Sequence, residues 1–170
     1  DLDTAGYQKS AASGAYDLII YDQCAPQEMP QANTLLIGRV PPTKNWSAKE
    51  SISVPNIIDT DRAHPLMEFV EMGNVKLIAE CTPLESPAGS TILIDTDVGP
   101  IYAVAPRDGY EDAVLGFEIV NTEKNEANTD WVRRLSFPLF VNNVLQYLGG
   151  HSSRSLASNS IKPGFAINLR

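Results

Sequence analysis

The sequence predicts an α/β domain, and three observations carry that prediction. Residues 129–150, TDWVRRLSFPLFVNNVLQYLGG, combine a polar entry, a proline just inside a helix, a dense apolar face and a Gly-Gly stop. The run before them, AVLGFEIVN at 113–121, reads as a buried strand, so the two form the last strand and closing helix of a sheet-based domain. Upstream, short apolar runs such as YDLIIYD at 16–22 are of the kind buried in parallel sheets.

The remaining elements follow in chain order. Residues 2–13 are rich in Ala and predict a helix that Gly14 stops. After the strand at 16–22, the Pro-bearing loop CAPQEMPQAN leads to a second short strand, TLLIGRV at 34–40. PPTKNWSAKES is a surface loop by composition, and SVPNIIDTD at 53–61 is a third extended run. Asp61 is placed to cap a short helix with Pro65 in its first turn, Leu66, Phe69 and Val70 on one face, and Gly73 as its stop. VKLIAEC at 75–81 is strand-like. Three β-runs then follow, with turn chemistry at 98–100 and 107–109, and the first two, TILIDTD and PIYAVAPR, predict an antiparallel hairpin. In the closing helix Ser136 can cap, Pro138 sits early, and Phe140, Val144, Leu145 and Leu148 supply the apolar stripe. Asn142 and Asn143 interrupt that stripe. A buried Asn there has to hydrogen-bond a loop carbonyl or amide, and this structural role is preferred to a ligand role.

At 170 residues the chain fits one domain, 1–150, followed by a Ser-rich linker and the start of a β segment at 151–170. It reads as a piece of a longer protein, opening within a helix with no first strand before it and closing on a fresh β-type run. A formal net charge of −8, spread along the chain, argues against a nucleic-acid surface and against basic anchoring on anionic lipid. No apolar run approaches the ~20 residues of a spanning helix, so no direct membrane insertion is expected of this segment. Cys24 and Cys81 make neither a disulfide scaffold nor a zinc set. A bridge between them is open, but two half-buried thiols are the preferred reading.

Four constellations could carry chemistry. Cys24 and His64 are the catalytic candidates; Cys24 follows a strand at the end where open α/β sheets bind ligands, although its surroundings, DQCAPQ, offer neither a glycine elbow nor a basic neighbour. Asp59, Asp61 and His64, within six residues, could bind a divalent metal, although a capped helix entry explains them more simply. Asp95 and Asp97 could form a carboxylate pair on one strand face, against the plainer reading of a solvent-facing row. Cys81 lies between Glu80 and Thr82-Pro83, without the small flanking residues a nucleophile elbow requires. Asp22 and Trp46, on loops at strand ends, are candidate binding residues, Trp46 as an interface anchor. For Trp46 the competing reading is packing over the sheet edge.

With these runs in order, the sequence resembles a known bacterial family. IIDTDRAHPLMEFVEM, GPIYAVAPRDGYEDAVLGFEI and TDWVRRLSFPLFVNNVLQYLGG are similar to the class I glutamine-amidotransferase-like domain of membrane-anchored proteins that also carry a von Willebrand factor A domain and an aerotolerance-type membrane region. The resemblance covers about residues 16–150. Its most specific parts are His64-Pro65 and the combination of Leu115-Gly116-Phe117 with Ser136-Phe137-Pro138 and Asn143. It implies a flavodoxin-like three-layer sandwich with a mostly parallel sheet and a β-hairpin extension in the C-terminal half. It also implies a protein that lacks the Cys-His-Glu triad of working glutaminases, a pseudoenzyme without cofactors.

The expected function is therefore a non-catalytic interaction or structural module, partnered by other domains of the same polypeptide or by other proteins. The protein would be membrane-associated through other parts of the chain. The alternatives are a Cys-dependent or metal-assisted amide hydrolase, or a small-molecule binding domain.

Overall fold

The computed structural model describes residue 2, residues 4–76 and residues 78–150. Helix α1 (Ala5–Ala12) comes first, with the Thr4 hydroxyl accepting from the Tyr7 amide at 3.3 Å as its cap. Strands β1 (Leu18–Asp22), β2 (Asn33–Ile37), β3 (Ser47–Ala48), β4 (Ile52–Ser53) and β5 (Ile57–Thr60) follow. Beyond a single 3-10 turn at Pro65–Met67 come β6 (Glu80–Cys81), β7 (Leu84–Glu85), β8 (Thr91–Thr96), β9 (Gly99–Arg107) and β10 (Tyr110–Leu115). The two-residue strands β11 (Val120–Asn121) and β12 (Glu126–Ala127), a 3-10 turn at Trp131–Arg133 and helix α2 (Ser136–Tyr147) complete the order.

Six strands form the main sheet in the order β1-β2-β10-β9-β8-β5. Only β1/β2 and β2/β10 are parallel; the other three pairings are antiparallel. The expected flavodoxin-like sandwich with a mostly parallel sheet is therefore wrong, and the chain itself says why. A parallel neighbour needs a crossover of a dozen or more residues, whereas β8, β9 and β10 are joined by tight turns. The second of these places Asp108 and Gly109 at φ 48° and 86°, the left-handed pair that an Asp-Gly hairpin turn favours. The parallel link between β1 and β2 carries no helix either, because Pro26 and Pro30 interrupt it.

The two sheet faces are covered unequally. On one face α2 and the two 3-10 turns pack over Leu35, Tyr102, Val104, Ala113 and Leu115, with Trp131, Phe140, Val144 and Leu148 buried from the helical side. On the other, Trp46 and Leu84 lie over Ala103, Ala105 and Val114. Trp131 is the centre of the larger core. Its ring is within 4.7 Å of Phe140 and 5.5 Å of Phe137, and its indole N–H donates to Ser136 Oγ at 3.0 Å. Ser136 is thus the first residue of α2 and a partner of Trp131, not the expected cap; Leu135 occupies the cap position without a side-chain hydrogen bond. Leu145, expected in the buried stripe, is 53% exposed.

The expected helix after Pro65 is also absent. Phe69 takes φ 57°, which ends the helical path after one 3-10 turn, and the strand expected at 75–81 reduces to an isolated bridge at Ile78 and the short β6. His64 rather than Asp61 caps the turn, its Nδ1 accepting from the Leu66 amide at 3.2 Å.

Polar groups tie the sheet across long sequence separations. Asp112, 1% exposed, accepts from Thr34 Oγ1 at 2.7 Å and from Arg107 Nε and Nη2 at 2.8 and 3.1 Å. Asn33 donates to the Leu148 carbonyl at 2.6 Å and accepts from the Glu111 amide at 2.9 Å, fastening the C-terminal end of α2 to the sheet.

Candidate functional site

The C-terminal ends of the adjacent parallel strands β2 and β10 open onto a polar cleft of about 260 Å³. Two glycines shape it. Gly38 has φ 70°, and a Cβ there would stand 2.6 Å from Glu118 Cγ, so only glycine lets Glu118 lie across this strand end. A Cβ on Gly116 would meet the Thr82 carbonyl oxygen at 2.3 Å, so the close approach of these two segments also depends on glycine. Asn128 fixes the far wall: its Nδ2 donates to the carbonyls of Glu80 and Glu118 at 2.9 and 2.8 Å, and its Oδ1 accepts from the Glu80 amide at 3.0 Å. Arg39 pairs with Glu118 at 3.3 Å and Lys124 with Glu80 at 2.7 Å. The Glu80 carboxylate holds the Lys124 ammonium above its ordinary pKa.

Cys81 borders this cleft, 2% exposed, and burial followed by the Asp97 charge pushes its thiol up to about 11. At neutral pH it is a protonated thiol, the opposite of an activated nucleophile. Cys24 lies elsewhere, on the rim of an apolar groove of about 780 Å³ between α1 and the loop with Pro26 and Pro30. Both cysteines are free.

The two catalytic candidates sit at opposite ends of the sheet. Cys24 follows the C-terminal end of β1. His64 packs edge-on against Tyr147 at 5.1 Å, and the Tyr147 hydroxyl donates to Glu111 at 3.1 Å, near the start of β10. Since β10, β2 and β1 run in the same direction, the length of a five-residue strand, about 16 Å, lies between these two ends. His64 cannot serve Cys24 as a base. His151 lies outside the described residues.

The metal candidates do not converge. Asp59 Oδ1 accepts from Thr60 N at 2.8 Å and Asp61 Oδ1 from Ala63 N at 3.1 Å, each serving its own backbone turn. Among the described residues no three His, Cys, Asp or Glu side chains gather closely enough to hold a metal ion. Asp95 lies in β8 and accepts from Thr96 N, while Asp97 lies beyond the strand and is held by the amide and side chain of Asn56 at 3.0 and 2.8 Å. The Asn56 bonds hold the Asp97 carboxyl below its ordinary pKa. Trp46 is buried at 6% exposure, which favours packing over anchoring, and Asp22 is exposed at the end of β1.

His64 does have a pH signature. Burial holds its imidazole below the ordinary 6.5, against the opposing pull of Asp61 and Glu111. Between that depressed value and 6.5 the unfolded chain binds more protons than the folded one. The neutral ring's contribution is therefore intact above this window and is lost as the pH falls through it. His64→Asn keeps a capping side chain without a titrating ring. Between about pH 7.5 and about pH 5 the wild type is expected to lose more melting temperature than the variant. Parallel profiles would show that the ring does not titrate in this way.

Sequence reading missed Arg39, Glu118, Glu123 and Asn128, and it missed the exposure of Phe69. The glycines closing the two strands, Gly38 and Gly116, were the available signal. Asn128 sits in a polar stretch without periodicity.

No protein-family model matches the chain, and no curated protein matches it. Among solved structures, the cytoplasmic protein STM3548 from Salmonella typhimurium superposes with a TM-score of 0.60 at 8% sequence identity, covering 79% of this chain and 72% of that one. The two share a fold. The expectation of a flavodoxin-like domain with a mostly parallel sheet is corrected by the mixed, strand-rich sheet. No helix among the described residues is long and apolar enough to cross a membrane.

Proposed function

We propose that this chain is a non-catalytic interaction module that docks against another domain of a longer polypeptide, with Phe69 as its anchor. Phe69 carries the reading. It is 76% exposed and left-handed at φ 57°, while Leu66, Met67, Val70 and Met72 around it are all within 2% of complete burial. A left-handed non-glycine residue costs roughly 1–2 kcal/mol, and an exposed phenyl ring gains nothing in the isolated domain. Such strain persists only where the surroundings enforce it. They do so here: Asn143 Nδ2 donates to the Glu68 carbonyl at 2.8 Å, and Ser136 Oγ donates to the Glu71 carbonyl at 3.2 Å.

These two bonds lay residues 68–71 along α2. Leu139 stands three residues after Ser136 and four before Asn143, on the same helix flank, and Leu135 is one turn earlier. Leu135 is 89% exposed and Leu139 39% exposed, so an apolar strip borders the Phe69 tip. A rigid aromatic beside such a strip suits an apolar pocket on a partner surface.

The test compares amide hydrogen exchange in the isolated domain and in the longer polypeptide. Residues 66–72 and 132–145 are expected to exchange more slowly in the longer chain, and Phe69→Ser is expected to abolish the difference without lowering the domain's melting temperature. Equal exchange in both contexts would overturn the reading.

A further inference from the structure

We propose that residues 165–169, FAINL, pair as a seventh strand along the open edge of β1 in the same chain. Phe69 lies on the other flank of α2, so neither reading rests on the other. β1 stands first in the sheet order, with β2 on one side and no described strand on the other. The Asp17 carbonyl accepts from the Asn33 amide at 3.1 Å and the Gln23 amide donates to the Ile37 carbonyl at 2.9 Å, so the odd-numbered residues turn their backbone toward β2. The N–H and C=O groups of Leu18, Ile20 and Asp22 therefore point to the outer edge. β1 also carries none of the lysines, prolines or bulges that commonly guard an exposed edge. An apolar shelf lies beside it. Ile20 pairs in register with the buried Leu35, yet it is 46% exposed. Asn143 and Tyr147 lean on Leu66 and His64, in the turn that follows β5 at the far edge of the sheet. The flank of α2 on the β1 side is thus the opposite one, with Val141 and, above it, Leu145, both exposed.

Residues 151–170 lie outside the described residues, and their sequence and point of departure recommend them for this edge. In FAINL, Phe165, Ile167 and Leu169 alternate with Ala166 and Asn168, so one face of such a strand is wholly apolar and can cover the shelf. α2 ends at the right corner: the Leu148 carbonyl accepts from Asn33, the register partner of Leu18 at the start of β1. The 16 residues 149–164 can then reach up to about 50 Å, far more than the two strand spacings, about 10 Å, from β2 to the new position. Charge points the same way. Residues 151–170 hold Arg154, Lys162 and Arg170 and no Asp or Glu, so within the formal −8 they contribute +3 and residues 1–150 contribute −11. Lys162 and Arg170 bracket FAINL as Asp17 and Asp22 mark the two ends of β1. A second copy would instead bring two chains of net −8 edge to edge.

Amide hydrogen exchange of the full 170-residue chain at low concentration, read residue by residue by NMR, tests this. The outward amides of Leu18, Ile20 and Asp22 are expected to be protected alongside the inward amides of Ile19 and Tyr21. Ile167→Asp, which would set a carboxylate on the apolar shelf, should speed exchange at the three outward amides by about tenfold or more and leave Ile19 and Tyr21 unchanged. Ala157→Pro, in the Ser-rich connector, should change neither set. Slow exchange at Ile19 and Tyr21 in each variant establishes that it is folded. Rapid exchange at the outward amides of the wild type would overturn the proposal. So would protection that survives Ile167→Asp, and if that protection grows with protein concentration, the edge belongs to a second copy instead.

Discussion

Asp112→Ala is expected to lower the unfolding free energy by about 3–5 kcal/mol, read from denaturant titration. The carboxylate is 1% exposed and accepts three hydrogen bonds, two of them from Arg107. Its removal leaves a guanidinium whose side chain is 16% exposed with one remaining protein hydrogen bond, to the Ala32 carbonyl at 3.0 Å. The Thr34 hydroxyl, 0% exposed, loses its acceptor as well. The loss comes from stranding these groups rather than from the gross attraction of the pair. The double replacement Asp112→Leu with Arg107→Met should therefore be much less damaging than the single change. A loss below about 1 kcal/mol in the single variant would mean that water reaches the site and replaces the carboxylate.

Trp131→Ala is expected to cost a further 3–5 kcal/mol or so, by emptying the centre of the larger core. The indole is fully buried and touches Phe117, Phe137 and Phe140, so the cavity is lined by three rings that cannot all collapse inward. Trp131→Phe separates the contributions. It retains most of the apolar contact but leaves Ser136 Oγ without its donor, a loss on the order of 1 kcal/mol. The chain has two tryptophans, so a Trp46→Phe background makes the fluorescence of Trp131 a direct readout of this core. Equal stability losses for the Ala and Phe replacements would indicate that the hydrogen bond, not the packing, carries the effect.

The sequence made the local elements legible wherever one residue type had one physical role. The β8–β9 hairpin, α2 with its Gly-Gly stop, and the need of Asn143 for a loop carbonyl were all readable, and Asn143 does donate to the Glu68 carbonyl. Strand direction was misread because the apolar runs at β1 and β2 look alike in parallel and mixed sheets. The turn at Asp108-Gly109 contained the correcting information, since a hairpin there forces β9 and β10 antiparallel. Phe69 and Leu145 were assigned to buried faces by assuming regular helical spacing. Phe69 lies outside any helix, and Leu145 lies on the side of α2 turned from the sheet. The cleft was out of reach because its walls come from the separate stretches 38–39, 80–82, 116–118 and 121–128. Only tertiary folding brings these together.

The sheet's register has a consequence for the order in which this protein can be completed during synthesis. β2 lies between β1 and β10, so the early β1–β2 pair waits for a neighbour made about 80 residues later. Asn33 waits longer still, for a carbonyl at Leu148. Closing loops of that length is slow relative to local turns, and the ribosome must release nearly the whole domain before they can close. Until then the nascent N-terminal third offers an unmatched β edge to its surroundings, which makes this stretch the natural client of a chaperone.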